Sequence, residues 1–361
     1  MLDALPALQD SRPAATHTSE KLGAIERLPK ALLCVPLVAQ WLWLGLRHGS
    51  LTLPSVVNPA IATGGLAGES KLAYLERIGV EHANWMAHTV AVPPGKDAQA
   101  LRRAAGMRYP LIAKPDVGWC GYGVRLIEND RQLRRYAAEF PNGTRLLLQH
   151  FVPGPREAGL FYMRGPAEVA GRLIGIAVRH QPRVVGDGER SVGSLVAGDA
   201  RLRRLARDYH QALGASRWHA VPRPGATVIL STVASLRVGG RYEDAIRLHS
   251  AALEARVDAI ARSMGGFHFG RLDVRFTNDA ALREGQFQVI EVNGAGSEAI
   301  QFWDPSLSLA DAFRGVFAKQ RLLFGLAAEF RAAGHRPVGV VGLSRAWLAQ
   351  QRLTRRYPAS N

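Results

Sequence analysis

Lysine is scarce in this 361-residue chain. Only Lys21, Lys30, Lys71, Lys96, Lys114 and Lys319 are lysine, so 40 of the 46 basic residues are arginine. Cysteine is scarcer still: Cys34 and Cys120 lie far apart, without metal-ligand spacing. That excludes a disulfide framework or a Cys-based zinc site, and it suggests a reducing, cytoplasmic compartment. No zinc-finger, basic-region heptad or RNA-binding aromatic signature accompanies the net charge of +16, so a nucleic-acid partner is not expected. The start of the chain also lacks a signal peptide's basic opening and early apolar core. The longest apolar run, 31–46, contains Pro36 and Gln40 and falls short of the roughly 20 residues needed to cross a bilayer. It reads as a buried helix. Stable membrane insertion is not expected, although Trp41 and Trp43 leave an interfacial reading open.

What is present is ordinary globular composition, 47% hydrophobic and 21% charged, long enough for two or three subdomains. The excess of arginine suits anionic small molecules such as nucleotides and carboxylates. Residues 1–25, polar with Pro and Ser, read as a loose arm. Residues 26–107 form an N-terminal region with the apolar helix and a glycine-dense loop, 58–69, whose backbone is held close to something, an anion or its own protein.

The stretch around which the chain is organised is Phe269–Phe276 with its continuation 287–294. Both halves alternate apolar and polar residues, which predicts two β-strands joined through a polar turn at 277–279. Side chains two apart share a face, so Arg271 and Asp273 look one way, as do Glu291 and Asn293. Paired as a hairpin, the strands bring two carboxylates and an amide oxygen together on a mostly apolar sheet. Unpaired buried carboxylates are costly, so a divalent cation is an economical partner. An all-oxygen set with few protein ligands suits Mg2+, or Mn2+, with the remaining positions filled by water or phosphate. A solvated surface hairpin is the plainer alternative.

Upstream, Ser70 caps a helix opened by Lys71, and 97–106 forms a second short helix. Residues 109–127 read as strand, glycine loop, strand. Lys114 sits inside the apolar first strand, where an ammonium needs an anionic partner. Gly118, Gly121 and Gly123 let main-chain N–H groups curl over phosphates. After a helix at 130–140, a strand from 146 meets a Pro/Gly hinge at Gln149, Phe151 and Val152, followed by a strand carrying Glu157. Such a hinge suits a purine, and the carboxylate suits ribose hydroxyls; it also reads as a plain β-turn. Residues 172–179 read as a strand ending at Arg179, 180–191 as a mobile basic segment, and 192–213, 242–264 and 306–332 as helices. Residues 336–361 read as a basic tail.

In this order the features resemble the ATP-grasp superfamily, carboxylate–amine ligase type, over residues 65–330. The similarity is carried by Gly270-Arg-Leu-Asp-Val with Ile290-Glu-Val-Asn, by Leu111-Ile-Ala-Lys-Pro with its glycine loop, and by Val184-Val-Gly-Asp-Gly-Glu-Arg-Ser-Val. The resemblance implies an α+β fold in which two subdomains, 108–190 as the lid and 191–335 with the metal site, clasp ATP behind a reduced N-terminal region. It implies phosphate contacts from Lys71, Lys114, Gly118, Gly121 and Gly123, adenine contacts at Gln149, Phe151 and Val152, and a ribose contact at Glu157. Metal ligation is implied for Asp273, Glu291 and Asn293, and Arg271 and Lys114 take catalytic roles. No lysine occurs between 115 and 318, so Arg179 or Arg183 stands where relatives often carry one. The implied reaction joins a small-molecule carboxylate and an amine through an acyl phosphate, and relatives are usually homodimers. A small-molecule kinase and a non-catalytic or membrane-peripheral nucleotide binder are the competing readings.

Overall fold

The computed structural model describes residues 22–360, so most of the predicted loose arm lies outside the described residues. Its frame is two antiparallel sheets. The first contains β1 (Thr89–Val92), β2 (Leu111–Pro115), β3 (Arg125–Ile127) and β4 (Leu146–His150), in the order β1-β4-β2-β3. The second is built from β5 (Arg156–Met163) and β6 (Arg172–His180), flanked by later strands. A small ribbon pairs β7 (Arg183–Val185) with β8 (Thr227–Ile229). The strands β9 (Arg241–Asp244), β10 (Phe269–Phe276) and β11 (Gln288–Asn293) complete the second sheet in the order β11-β10-β5-β6-β9. The strands of 108–190 thus divide between the sheets: β2–β4 enter the first, β5 and β6 the second.

Alternation along these strands gives each large sheet one apolar face. In the second sheet Ala158, Leu160, Tyr162, Leu272 and Val274 pack on Leu253, Val257 and Ile260 of the helix Ala251–Ser263. All of them are buried, at about 1.5–3 kcal/mol for each large side chain. In the first sheet Leu111, Ala113, Leu146 and Leu148 join a core with Leu133 and Tyr136 of the helix Asp130–Glu139. The intervening positions carry Lys114 and Gln149 on β2 and β4, and Glu157, Arg179, Arg271 and Asp273 on the second sheet. The two polar faces meet where Lys114 Nζ donates to the Ile290 carbonyl at 2.8 Å.

Several expectations need correction. The helix Lys30–Arg47 exists, but it is buried on one side only. Leu33 and Leu44 are inside, whereas Leu32, Val35, Val38, Leu42, Trp43 and Leu46 are exposed. Among the described residues, no helix is long and apolar enough to cross a membrane. Residues 180–191 are partly ordered by the β7–β8 ribbon, because Val184 is an inward apolar position between exposed Arg183 and Val185. The helix expected at 192–213 breaks into Val192–Gly198 and Ala206–His219, since Asp199 turns its carboxylate onto the Arg201 and Leu202 amides. The helix expected from 242 begins only at Ala251, capped by Ser250, because Arg241–Asp244 is recruited as an edge strand by β6. The connection between β10 and β11 is not a bare turn; it holds the short helix Asp279–Arg283, capped by Asn278. Finally, the C-terminal segment contains the helix Val340–Thr354.

Candidate active site

The expected hairpin forms, and its register sets Asp273 opposite Glu291 and Arg271 opposite Asn293, with a bulge after Asp273. Asp273 is 1% exposed. Arg271 grips it with two bonds, Nε at 2.6 Å and NH2 at 3.0 Å, and Arg179 adds a third at 3.0 Å. Arg179 also pairs with Glu157 at 2.6 Å, which makes a continuous chain of two carboxylates and two guanidiniums. Burial alone would raise the Asp273 pKa, but the two arginines outweigh it and hold the carboxyl below its ordinary value. Glu157 goes the other way: desolvation raises it despite Arg179. For Arg179, burial disfavours the charge, yet Glu157 and Asp273 outweigh that and raise its pKa. Gly159 gives this network its space. It faces Asp273 across the strands, and a Cβ there would lie 2.7 Å from Arg271 Cδ.

Lys71 enters from the side. Its Nζ lies 3.4 Å from Glu291 Oε1 and donates to the Gly118 carbonyl at 3.2 Å. The helix Lys71–Leu75 is aimed by Asp116, which accepts from Ser70 Oγ and the Leu72 amide, while Ser70 itself caps the helix. Lys114 Nζ donates to Gln149 Oε1 at 2.9 Å as well as to Ile290. Desolvation pulls its pKa down to about 8, against the pull of Glu291 and the other carboxylates. The glycine loop curls as its composition suggests, with φ of +72° at Gly121 and +74° at Gly123. Its carbonyls are held from outside: Arg237 bonds the Cys120 and Gly121 oxygens and stacks 4.1 Å over Tyr122.

A cavity of about 200 Å3 opens between these parts. Gly118, Gly121, Arg179, Arg271, Glu291 and Asn293 line it. Lys71, Glu157 and Asp273 are bonded to that lining, and Lys114 is anchored beside it on Gln149 and the Ile290 carbonyl. The other expected nucleotide contacts are not brought to this cavity. Gly123 is under Tyr357, Gln149 is 2% exposed and spent on Thr89, Lys114 and Ile290, Val152 is buried, and Phe151 lies against the Arg275 guanidinium.

Of the expected site residues, Lys71, Lys114, Arg179 and Arg271 are cationic and Glu157, Asp273 and Glu291 are anionic. Among the described residues no group of three or more His, Cys, Asp or Glu side chains makes a self-sufficient metal site. Both Asp273 oxygens are already engaged by Arg271 and Arg179, and Asn293 Nδ2 donates to Oδ2 at 3.3 Å, so a cation held by Asp273, Glu291 and Asn293 would have to displace some of these bonds and bring phosphate or water as its other ligands.

Several residues here were not legible as site residues. Glu69 lines the cavity, and burial pushes its carboxyl up to about 7 despite nearby Lys71. Lys319, one helix away in sequence terms, reaches under the cavity to the Ser297 carbonyl at 2.5 Å, and burial lowers its pKa to about 8. Trp347, Gln350 and Gln351 come from the C-terminal helix. The only hint of Glu69 was its place beside Lys71 after a run of glycines. That loop is held close to protein: the Ala295 and Gly296 amides donate to Gly64 and Gly65, and a Cβ on Gly65 would meet Gly294 Cα at 2.6 Å. Fully buried Asn58 pins the same loop by donating to the Gly64 and Phe269 carbonyls and accepting from the His268 and Phe269 amides.

No family model and no curated protein matches the sequence. Solved structures do show a likeness. A bifunctional glutathione synthetase from Pasteurella multocida matches at 14% identity and TM-score 0.35, covering 67% of this chain and 36% of its own. D-cycloserine synthetase matches at 15% and 0.39, covering 72% of this chain and 70% of that one. D-alanine–D-alanine ligase from Bacillus anthracis matches at 13% and 0.42, covering 74% and 69% respectively. This chain thus spans about a third of the length of the first of these relatives.

Proposed function

We propose that this chain is an ATP-dependent carboxylate–amine ligase of the ATP-grasp type. The observation that carries the reading is the convergence of Lys71 and Lys114 with Asp273 and Glu291 between two polar sheet faces, beside a glycine loop. Charges of both signs held this close are set up for a polyanion that arrives with a cation.

In this reading Lys71, Lys114 and the main chain of Gly118–Gly123 position the triphosphate. Asp273, Glu291 and Asn293 would hold Mg2+, which when bound neutralises charge on the phosphate oxygens. A substrate carboxylate oxygen attacks the γ-phosphorus, the bond to the β–γ bridging oxygen breaks, and ADP leaves. An amine then adds to the acyl carbon, phosphate departs with the acyl–oxygen bond, and the nitrogen gives up a proton. Arg271, already turned toward the cavity, stabilises the oxyanion of that second step, while Arg179 holds Asp273 in place and balances its charge. The same face of β10 and β11 serves both half-reactions, so the acyl phosphate need not diffuse. Excluding water is the remaining requirement, and the glycine loop is the segment placed to do it. Glu157, tied to the cavity through Arg179, remains the proposed ribose contact, whereas Gln149, Phe151 and Val152 would have to open toward the cavity to serve as adenine contacts.

The test is ADP and phosphate release from Mg-ATP with carboxylates and amines offered singly and in pairs. Release that requires a pair supports the ligase. A phosphorylated product without amide formation replaces it with a small-molecule kinase, and nucleotide binding without any turnover replaces it with a non-catalytic binder.

A further inference from the structure

The C-terminal segment, basic and without a motif, is built into the site. The helix Val340–Thr354 places Trp347, Gln350 and Gln351 at i, i+3 and i+4, on one face, and all three line the cavity. That face is tied down from both sides. Gln350 Oε1 accepts from the Gly68 amide at 2.9 Å, and its Nε2 donates to the Gly118 carbonyl at 3.4 Å. Gly68 precedes Lys71 and Gly118 opens the glycine loop, so one amide side chain bridges the two edges of the cavity. Beyond the helix, Tyr357 Oη donates to the Val117 carbonyl at 2.5 Å and its ring stacks on Phe140 at 5.5 Å. Ser360 Oγ donates to the Gly121 carbonyl at 2.7 Å, and Arg125 Nε donates to the Ala359 carbonyl at 2.6 Å. Six attachments from 350 to 360 are not what a solvated tail would make.

We propose that the face bearing Trp347, Gln350 and Gln351 is the substrate-selecting wall of this site. It rests on the ligase reading for the reaction but not for the binding. The wall lines the same cavity as Arg271, where a substrate carboxylate would lie, and as Ser297 and Glu298. Arg271 offers a cation for a carboxylate, Glu298 an anion for an ammonium, and the two glutamine amides offer both donors and acceptors. The class that fits is a small zwitterionic carboxylate whose uncharged polar part reaches the glutamine amides and whose apolar edge lies on Trp347. Gln350 is already bonded to Gly68 and Gly118, so it is the positioning residue, while Trp347 and Gln351 touch the occupant.

The test is calorimetric titration of the full chain with a panel of amino acids and dipeptides, in the presence of Mg2+ and a non-hydrolysable ATP analogue, alongside ADP release with ATP. Trp347 is half exposed, so Trp347→Ala and Gln351→Ala are not expected to disturb folding. Each is expected to change the Kd of the preferred carboxylate at least tenfold, or to reorder the panel, while the Kd of the ATP analogue moves less than twofold. Unchanged carboxylate affinities and ranking in both variants would overturn the proposal, as would a wild-type protein that binds no member of the panel. A wild-type protein that binds carboxylates but never releases ADP sinks the ligase reading instead, and the variants still decide the wall.

Discussion

Asp273 is where stability and function are most tightly joined. Its carboxylate is 1% exposed and takes three bonds from Arg271 and Arg179. Asp273→Asn keeps the shape and removes the charge, which leaves Arg179 with Glu157 alone and takes away the carboxylate that Arg271 grips. Removing one member of a buried, hydrogen-bonded ion set costs about 3–5 kcal/mol. That is a large share of the 5–15 kcal/mol that ordinarily separates folded from unfolded chains. The loss comes from uncompensated charge, so removing a guanidinium as well should recover part of it. In a double-mutant cycle with Arg179→Met, we expect the combined loss to fall short of the sum of the single losses by about 1–3 kcal/mol. Urea unfolding followed by far-UV circular dichroism reads both quantities. The comparison is Glu291→Gln: its side chain is 27% exposed and its ion pair with Lys71 is 3.4 Å long, so the stability cost should stay within about 1 kcal/mol. A cost below about 1 kcal/mol for Asp273→Asn, or strict additivity with Arg179→Met, would refute the network.

Lys114 sets a pH dependence. Burial lowers its folded pKa to about 8, below its ordinary value of 10.5. Charging it therefore costs the folded state below about pH 8, and that cost is relieved as pH rises from 8 toward 10.5. Wild-type stability relative to Lys114→Met should accordingly increase across that window, while ATP affinity falls as the ammonium is lost. Lys114→Arg should keep its affinity flat over the same range, which calorimetric titration at several pH values checks. Gly159→Ala forces a Cβ to 2.7 Å from Arg271 Cδ and pushes that guanidinium off buried Asp273, so turnover should fall at least tenfold and the melting temperature should fall with it. Asn58→Ala takes its side-chain partner from the Phe269 carbonyl and from the His268 and Phe269 amides, each at about 1–3 kcal/mol if left dry, while the Gly64 carbonyl keeps the Ala295 amide, and it should lower the melting temperature most among the polar-to-alanine variants outside the cavity.

The parts of the site legible in the sequence were those governed by strand alternation. Arg271, Asp273, Glu291 and Asn293 share a face because strands repeat every two residues, and the register followed from pairing neighbours in the chain. Lys114 stood out because an ammonium in an apolar strand demands an explanation. The glycine loop was visible from composition, but what holds it was not, since Arg237 and the C-terminal segment approach from more than a hundred residues away. Local pattern also misled where a tertiary partner overrode it. Arg241–Asp244 looks like the start of a long helix until β6 offers it an edge. The exposed side of Lys30–Arg47 was invisible for a related reason: a helix apolar all round carries no mark of which face is covered. Trp347, Gln350 and Gln351 have helical spacing like any other triplet, and only the fold turns them toward the cavity.

The central claim is that the space between the two polar sheet faces is a metal–nucleotide site. The most direct measurement is calorimetric titration of ATP into the wild-type chain and Glu291→Gln, each with Mg2+ and with EDTA. The account expects wild-type affinity to rise at least tenfold with Mg2+, and that gain to vanish in Glu291→Gln while the metal-free affinity is kept. Equal ATP affinity in Mg2+ and EDTA, or a Mg2+ gain that survives Glu291→Gln intact, would contradict it.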